Sequence, residues 1–167
     1  MARLALLMRG VSGTTKMKES TLATYLSGGI DAVGLRADLA DVVGTDTLRS
    51  GENLLSDLSA DITIRLDHLV RLCDAYLAGD LDPEHLEAVA FFLIGSNHFT
   101  WNTDDCDGAV VAEVLHEWSA PQINFRLTRD TVTRYRAELL KGRPSLYRPA
   151  NTAPHPTAAA DKVSGRG

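Results

Sequence analysis

At 167 residues, with 44% apolar and 23% charged side chains, the chain has the make-up of one soluble globular domain with its own core. Its net charge of −5 is unevenly laid down: residues 72–125 carry ten carboxylates and no lysine or arginine, against a net +5 elsewhere. That acidity argues against nucleic acid as a partner, because phosphates repel it. No apolar run approaches the ~18 residues that span a bilayer.

Residues 1–16 hold the short apolar run 4–8 between Arg3 and Arg9, below the roughly 7–15 residues of a signal-peptide core. They are expected to form a flexible extension, with the folded domain beginning at Met17. The two cysteines, Cys73 and Cys106, lack metal-ligand spacing, so neither a disulfide framework nor a zinc ribbon is expected. Cys73 lies on an apolar helix face and reads as a buried thiol. Together these features favour a reducing, cytoplasmic location.

The first helical pair is expected at 18–27 and 32–43, ended by Gly28 and Gly44. Residues 45–64 are poorly patterned, with one turn expected at 52–58. Further helices follow at 66–78, 83–95, 109–119 and 129–141, each with apolar residues at helical spacing. Strand-like alternation is confined to 62–66 and 123–127, runs too short to make a sheet alone. From residue 142 the text turns to proline, alanine, serine and glycine, which bury too little to offset their ordering entropy, and a disordered tail is expected. The reading is a single-domain, all-α bundle of five or six helices over 17–141.

A weak internal repeat supports it. Residues 25–35 read YLSGGIDAVGL and residues 76–86 read YLAGDLDPEHL. Each copy ends one helix at a glycine (Gly28, Gly79) suited to a left-handed turn. Each then starts another helix at an aspartate (Asp31, Asp82) suited to accept orphan backbone N–H groups. Pro83 takes the first helical position, which needs no donor.

Candidate chemistry is sparse. With Gly108 as sixth residue of a calcium loop, the first ligand position falls on Thr103 and the twelfth on Val114, which excludes a regular EF-hand. Asp107 is instead expected to cap the next helix. Nothing in the spacing brings His98, Cys106 and His116 together, and no glycine-rich phosphate loop is present. No catalytic, cofactor or metal residues are assigned. Arg126, Arg129, Arg134, Arg136 and Lys141 are expected to ion-pair with the acidic helices. Trp118 reads as core. Phe99 and Trp101, set among polar and acidic residues, fit either an interface anchor inside a charged rim or a plug over the core.

The run of 69–79 and 82–95, then Ser96, Phe99, Trp101, Asp104, Asp105, Asp107-Gly108 and Trp118, resembles the bacterial immunity proteins of nuclease bacteriocins. The chain departs from that family in lacking its tyrosine pair and in having extra helices at both ends. The resemblance implies a small helical protein whose acidic helix and following loop mask a basic toxin nuclease. On that reading the partner-binding residues are Asp80, Asp82, Glu84, Glu87, Trp101, Asp104, Asp105 and Asp107, and the protein acts by occlusion without catalysis. The rival is an acidic helical scaffold or regulatory protein whose charge serves solubility alone.

Overall fold

The computed structural model describes residues 16–40, 42–43, 54–55 and 57–142. The expected extension and tail therefore lie outside the described residues, apart from Lys16 and Gly142. Among the described residues are six helices: α1 (Glu19–Leu26), α2 (Ala32–Leu39), α3 (Leu66–Ala78), α4 (Pro83–Gly95), α5 (Cys106–Ser119) and α6 (Arg129–Leu140). Two minimal parallel strand pairs tie the connections together: β1 (Met17–Lys18) with β2 (Leu54–Leu55), and β3 (Ile62–Thr63) with β4 (Phe99–Thr100). The chain is an all-α bundle.

Both copies of the repeat form the expected helix–glycine–helix turn. Gly28 and Gly79 adopt φ of 88° and 89°, where a β-carbon would be strained. Asp31 caps α2 by accepting the Gly34 N–H at 2.9 Å. Asp82 occupies the same position before α4, with Pro83 as the first helical residue. The two copies also meet, since Arg36 of α2 donates to the Asp80 carbonyl and pairs with the Asp82 carboxylate at 2.8 Å.

Helices α3 to α6 run alternately up and down. The Tyr76 hydroxyl, near the end of α3, donates to the Leu127 carbonyl just before α6, and Arg136 of α6 pairs with Asp74 of α3. Helix α4 packs chiefly on α5, and α3 on α6. Helix α4 is apolar nearly all round, which suits a central helix: Leu86, Ala88, Val89, Ala90, Phe92 and Leu93 are all buried. Trp118 of α5 is fully buried and meets Tyr135 of α6 edge-to-face, with ring centroids 5.7 Å apart. Helices α1 and α2 pack on each other and reach the bundle through Tyr25. Its ring carries the Arg71 guanidinium at 4.9 Å, and its hydroxyl donates to the Arg71 carbonyl.

Four expectations need correction. Leu54–Leu55 pair with Met17–Lys18 as a strand, not as part of a helical turn over 52–58. Helix α2 stops at Leu39, and Val42 and Val43 both turn back onto the Leu39 carbonyl. Residues 123–127 form no strand; Ile123 and Asn124 close a turn on the Ala120 carbonyl. Helix α5 begins at Cys106, one turn earlier than residue 109.

Candidate functional site

The proposed partner residues fall into two groups at opposite ends of the bundle. Asp80, Asp82, Glu84 and Glu87 lie at the α3–α4 turn, beside the connection from α5 to α6. Their environments differ. Asp80 and Glu84 are exposed and make no ion pair among the described residues. Asp82 is held by Arg36, and its N–H donates to His85 Nδ1 at 3.1 Å. Glu87 is half-buried and accepts from Gln122 Nε2 at 2.8 Å. Between α4 and the 120–128 connection runs a solvent-open groove of about 470 Å³, walled by Pro83, Glu84, Glu87, Pro121, Arg126 and Leu127.

Asp104, Asp105 and Asp107 surround the start of α5, where α4 ends. The two groups are thus separated by the 13-residue length of α4, about 20 Å at 1.5 Å per residue. The structure does not join acidic helix and loop into one patch. Trp101 is half-buried and packs against the core, and Phe99 is core outright at 4% exposure. Asp105, not Asp107, caps α5, accepting the Gly108 N–H at 2.6 Å. Asp105→Ala is accordingly expected to cost about 1 kcal/mol. Asp107→Ala forfeits only its attraction to the helix dipole, about 0.3 kcal/mol. Urea unfolding of the two variants distinguishes them, and equal losses would contradict the assignment of the cap.

The long acidic run is less of a surface than its count suggests. Asp74 is paired with Arg136, Asp82 with Arg36, and Asp105 is spent on a helix cap. Glu117 is buried and accepts the Tyr135 hydroxyl at 2.8 Å. Of the basic residues expected to pair with the acidic helices, Arg136 alone does so among those described; Lys141 pairs within α6, with Glu138.

Two capping histidines were not legible in the sequence. His68 Nδ1 accepts the Arg65 N–H, and His85 Nδ1 accepts the Asp82 N–H. Each takes the place that glutamate or glutamine usually fills in a capping box. Burial holds both imidazoles below their ordinary pKa, which keeps the accepting nitrogen unprotonated.

A further polar chain is also new. Glu19 is 1% exposed and accepts the Ser96 hydroxyl at 2.6 Å, while Ser96 Oγ accepts the His98 N–H and His98 Nδ1 faces Asp61 at 3.1 Å. Serine, histidine and aspartate are neighbours here, but the imidazole's bonded nitrogen faces Asp61 while the serine donates its proton to Glu19. The arrangement ties α1 to the end of α4. Burial pushes the Cys73 thiol up to about 12, so it stays protonated and inert. Among the described residues, no three His, Cys, Asp or Glu side chains converge on a metal position, and no helix is long and apolar enough to cross a membrane. Compared with protein-family models, curated proteins and solved structures, the chain matches none.

Proposed function

We propose that this chain is a non-catalytic, cytoplasmic immunity or antitoxin-type protein of bacterial kind, which binds a basic toxin domain, a nuclease, and occludes it. The observation that supports this reading best is the pairing of unneutralised carboxylates with exposed apolar side chains at one end of the bundle. Asp80 is exposed at the α3–α4 turn, and Glu84 walls a groove whose neighbouring turn carries Ile123 at 84% exposure and Phe125 at 36%. Charge of one sign speeds the encounter with a cationic partner, and desolvated apolar contact holds the complex afterwards.

The test uses the product of the adjacent reading frame, expected to end in a basic nuclease domain. Equimolar addition of this chain should abolish its nuclease activity, with an association rate that falls as salt rises. Glu84→Lys with Glu87→Lys should slow association about tenfold. Asp104→Lys with Asp107→Lys, at the far end, should act less; Asp105 is left alone because it caps α5. Full nuclease activity at saturating protein would sink the proposal.

A further inference from the structure

The connection from α5 to α6 presents apolar side chains without being loose. Gln122 anchors it to Glu87 of α4 at 2.8 Å, Tyr76 of α3 holds the Leu127 carbonyl at 2.9 Å, and Asn124 N–H closes on the Ala120 carbonyl. Ile123 and Phe125 are two of the four large apolar side chains exposed among the described residues, and this one turn carries both. A pinned turn that holds such side chains in water leaves their burial to a partner. The adjoining groove has an apolar floor, with Leu127 5% exposed and Pro83 and Pro121 on its walls. Its rim is polarised: Glu84 on one side is uncompensated, while Arg126 on the other has no ion-pair partner among the described residues.

Resting on the proposal that the partner is basic, we infer that this groove takes a cationic peptide segment, seating an apolar side chain between flanking lysines or arginines. One apolar side chain fills the space over Leu127, and its apolar neighbour in the segment covers Ile123 and Phe125 on the turn beside the groove. A flanking cation faces Glu84. Arg126 donates to a backbone carbonyl of the bound segment, which an extended peptide exposes beside every side chain. The groove volume of about 470 Å³ suits two or three side chains, so the segment is short.

The probe is a fluorescein-labelled peptide, Lys-Arg-Leu-Ile-Arg-Lys, titrated into the full chain and followed by anisotropy and amide NMR. Two control peptides replace Leu-Ile by Ser-Ser, or the four cations by glutamate. The first peptide should bind about tenfold more tightly than either control, and shift amides of residues 84–87 and 122–128. Ile123→Ser with Phe125→Ser, or Glu84→Lys alone, should weaken it about tenfold; these side chains are exposed, and the melting temperature of each variant confirms that the fold is kept. Equal binding of the Ser-Ser peptide would overturn the apolar seat. Binding that shifts residues 104–107 instead would overturn the groove while leaving the basic-partner proposal standing. If no cationic peptide bound up to millimolar concentration, or the glutamate peptide bound best, the groove inference would fall, and the nuclease-inhibition assay would decide the basic-partner proposal separately. A dimer dispersed by Ile123→Ser would make a second copy the occupant and would also overturn the inference.

Discussion

Replacing Gly108 with alanine is expected to lower the melting temperature by about 10 °C or more. Gly108 is the third residue of α5 and is buried. A β-carbon there would land on the backbone carbonyl of Asn102, where the connection after β4 folds back across the helix. The obstacle is main chain, so no side-chain rotation relieves it. Either the 101–105 segment lifts from α5, giving up the Asp105 cap, or the helix shifts against α4. Overpacking costs about 1–3 kcal/mol where side chains yield, and a backbone clash sits at the top of that range. For a domain of this size ~3 kcal/mol corresponds to about 10 °C. Helix propensity alone pulls the other way, since alanine outranks glycine by about 1 kcal/mol in a helix. Gly95→Ala makes the control, because a β-carbon at that position in α4 meets nothing within 4 Å. Its melting point should hold or rise slightly. Circular dichroism melts of the pair are decisive: a Gly108→Ala protein as stable as wild type would contradict this packing of loop on helix.

Helices α3 and α4 were legible to the residue because their ends carry strong local signals: Gly79 needs its positive φ, and Asp82-Pro83 is cap followed by first turn. The start of α5 was not, and the reason is tertiary. Asp104, Asp105 and Asp107 are equally good caps by composition. The choice falls on Asp105 because it sets Gly108 against Asn102, a close approach that no pattern of hydrophobic residues announces. β3 lies within the run 62–66 whose alternation showed, while β1, β2 and β4 are two residues each, too short for a period of two to show. Alternation over 123–127 misled because Ile123 and Asn124 close a turn on the Ala120 carbonyl, and Ile123 and Phe125 are exposed to water.

The candidate site was legible in kind and not in shape. Charge counting marked Asp80, Glu84 and Asp104 as exposed carboxylates, which they are. It could not know that α4 stands between the two groups. Nor could it separate surface from interior in Glu117, whose place in α5 faces Tyr135, while Glu113 one turn earlier stays partly open. Trp101 was balanced between anchor and plug, and its packing against the core puts it nearer the second.

Removing the Tyr135 hydroxyl is expected to destabilise the protein by about 2 kcal/mol near neutral pH, and by much less in acid. The hydroxyl donates to Glu117 Oε2 at 2.8 Å in a buried setting between α5 and α6. A hydrogen bond to a charged group is worth about 1.5–3 kcal/mol, and losing it leaves the carboxylate buried without its donor. Burial, reinforced by Glu113, already raises Glu117 above the ordinary carboxyl pKa, with the Tyr135 hydrogen bond partly offsetting the rise. Burial likewise drives the Tyr135 phenol far above its usual pKa, so it remains a donor throughout.

The sign follows from linkage. A carboxyl whose folded pKa exceeds its unfolded value contributes stability that is complete below the unfolded pKa and is lost as pH rises through the folded one. Tyr135→Phe removes the hydrogen bond that lowers Glu117, so its folded pKa climbs further and the loss above it grows. The variant should therefore approach wild type near pH ~4 and fall away towards pH ~7. Glu117→Gln abolishes the titration, and its stability relative to wild type should improve as pH rises across the same window. In the double variant the two losses should not add, because the groups share one interaction. Urea unfolding of the four proteins at both pH values measures this, and a Tyr135→Phe cost that ignored pH would show that the hydroxyl's partner is not an ionising Glu117.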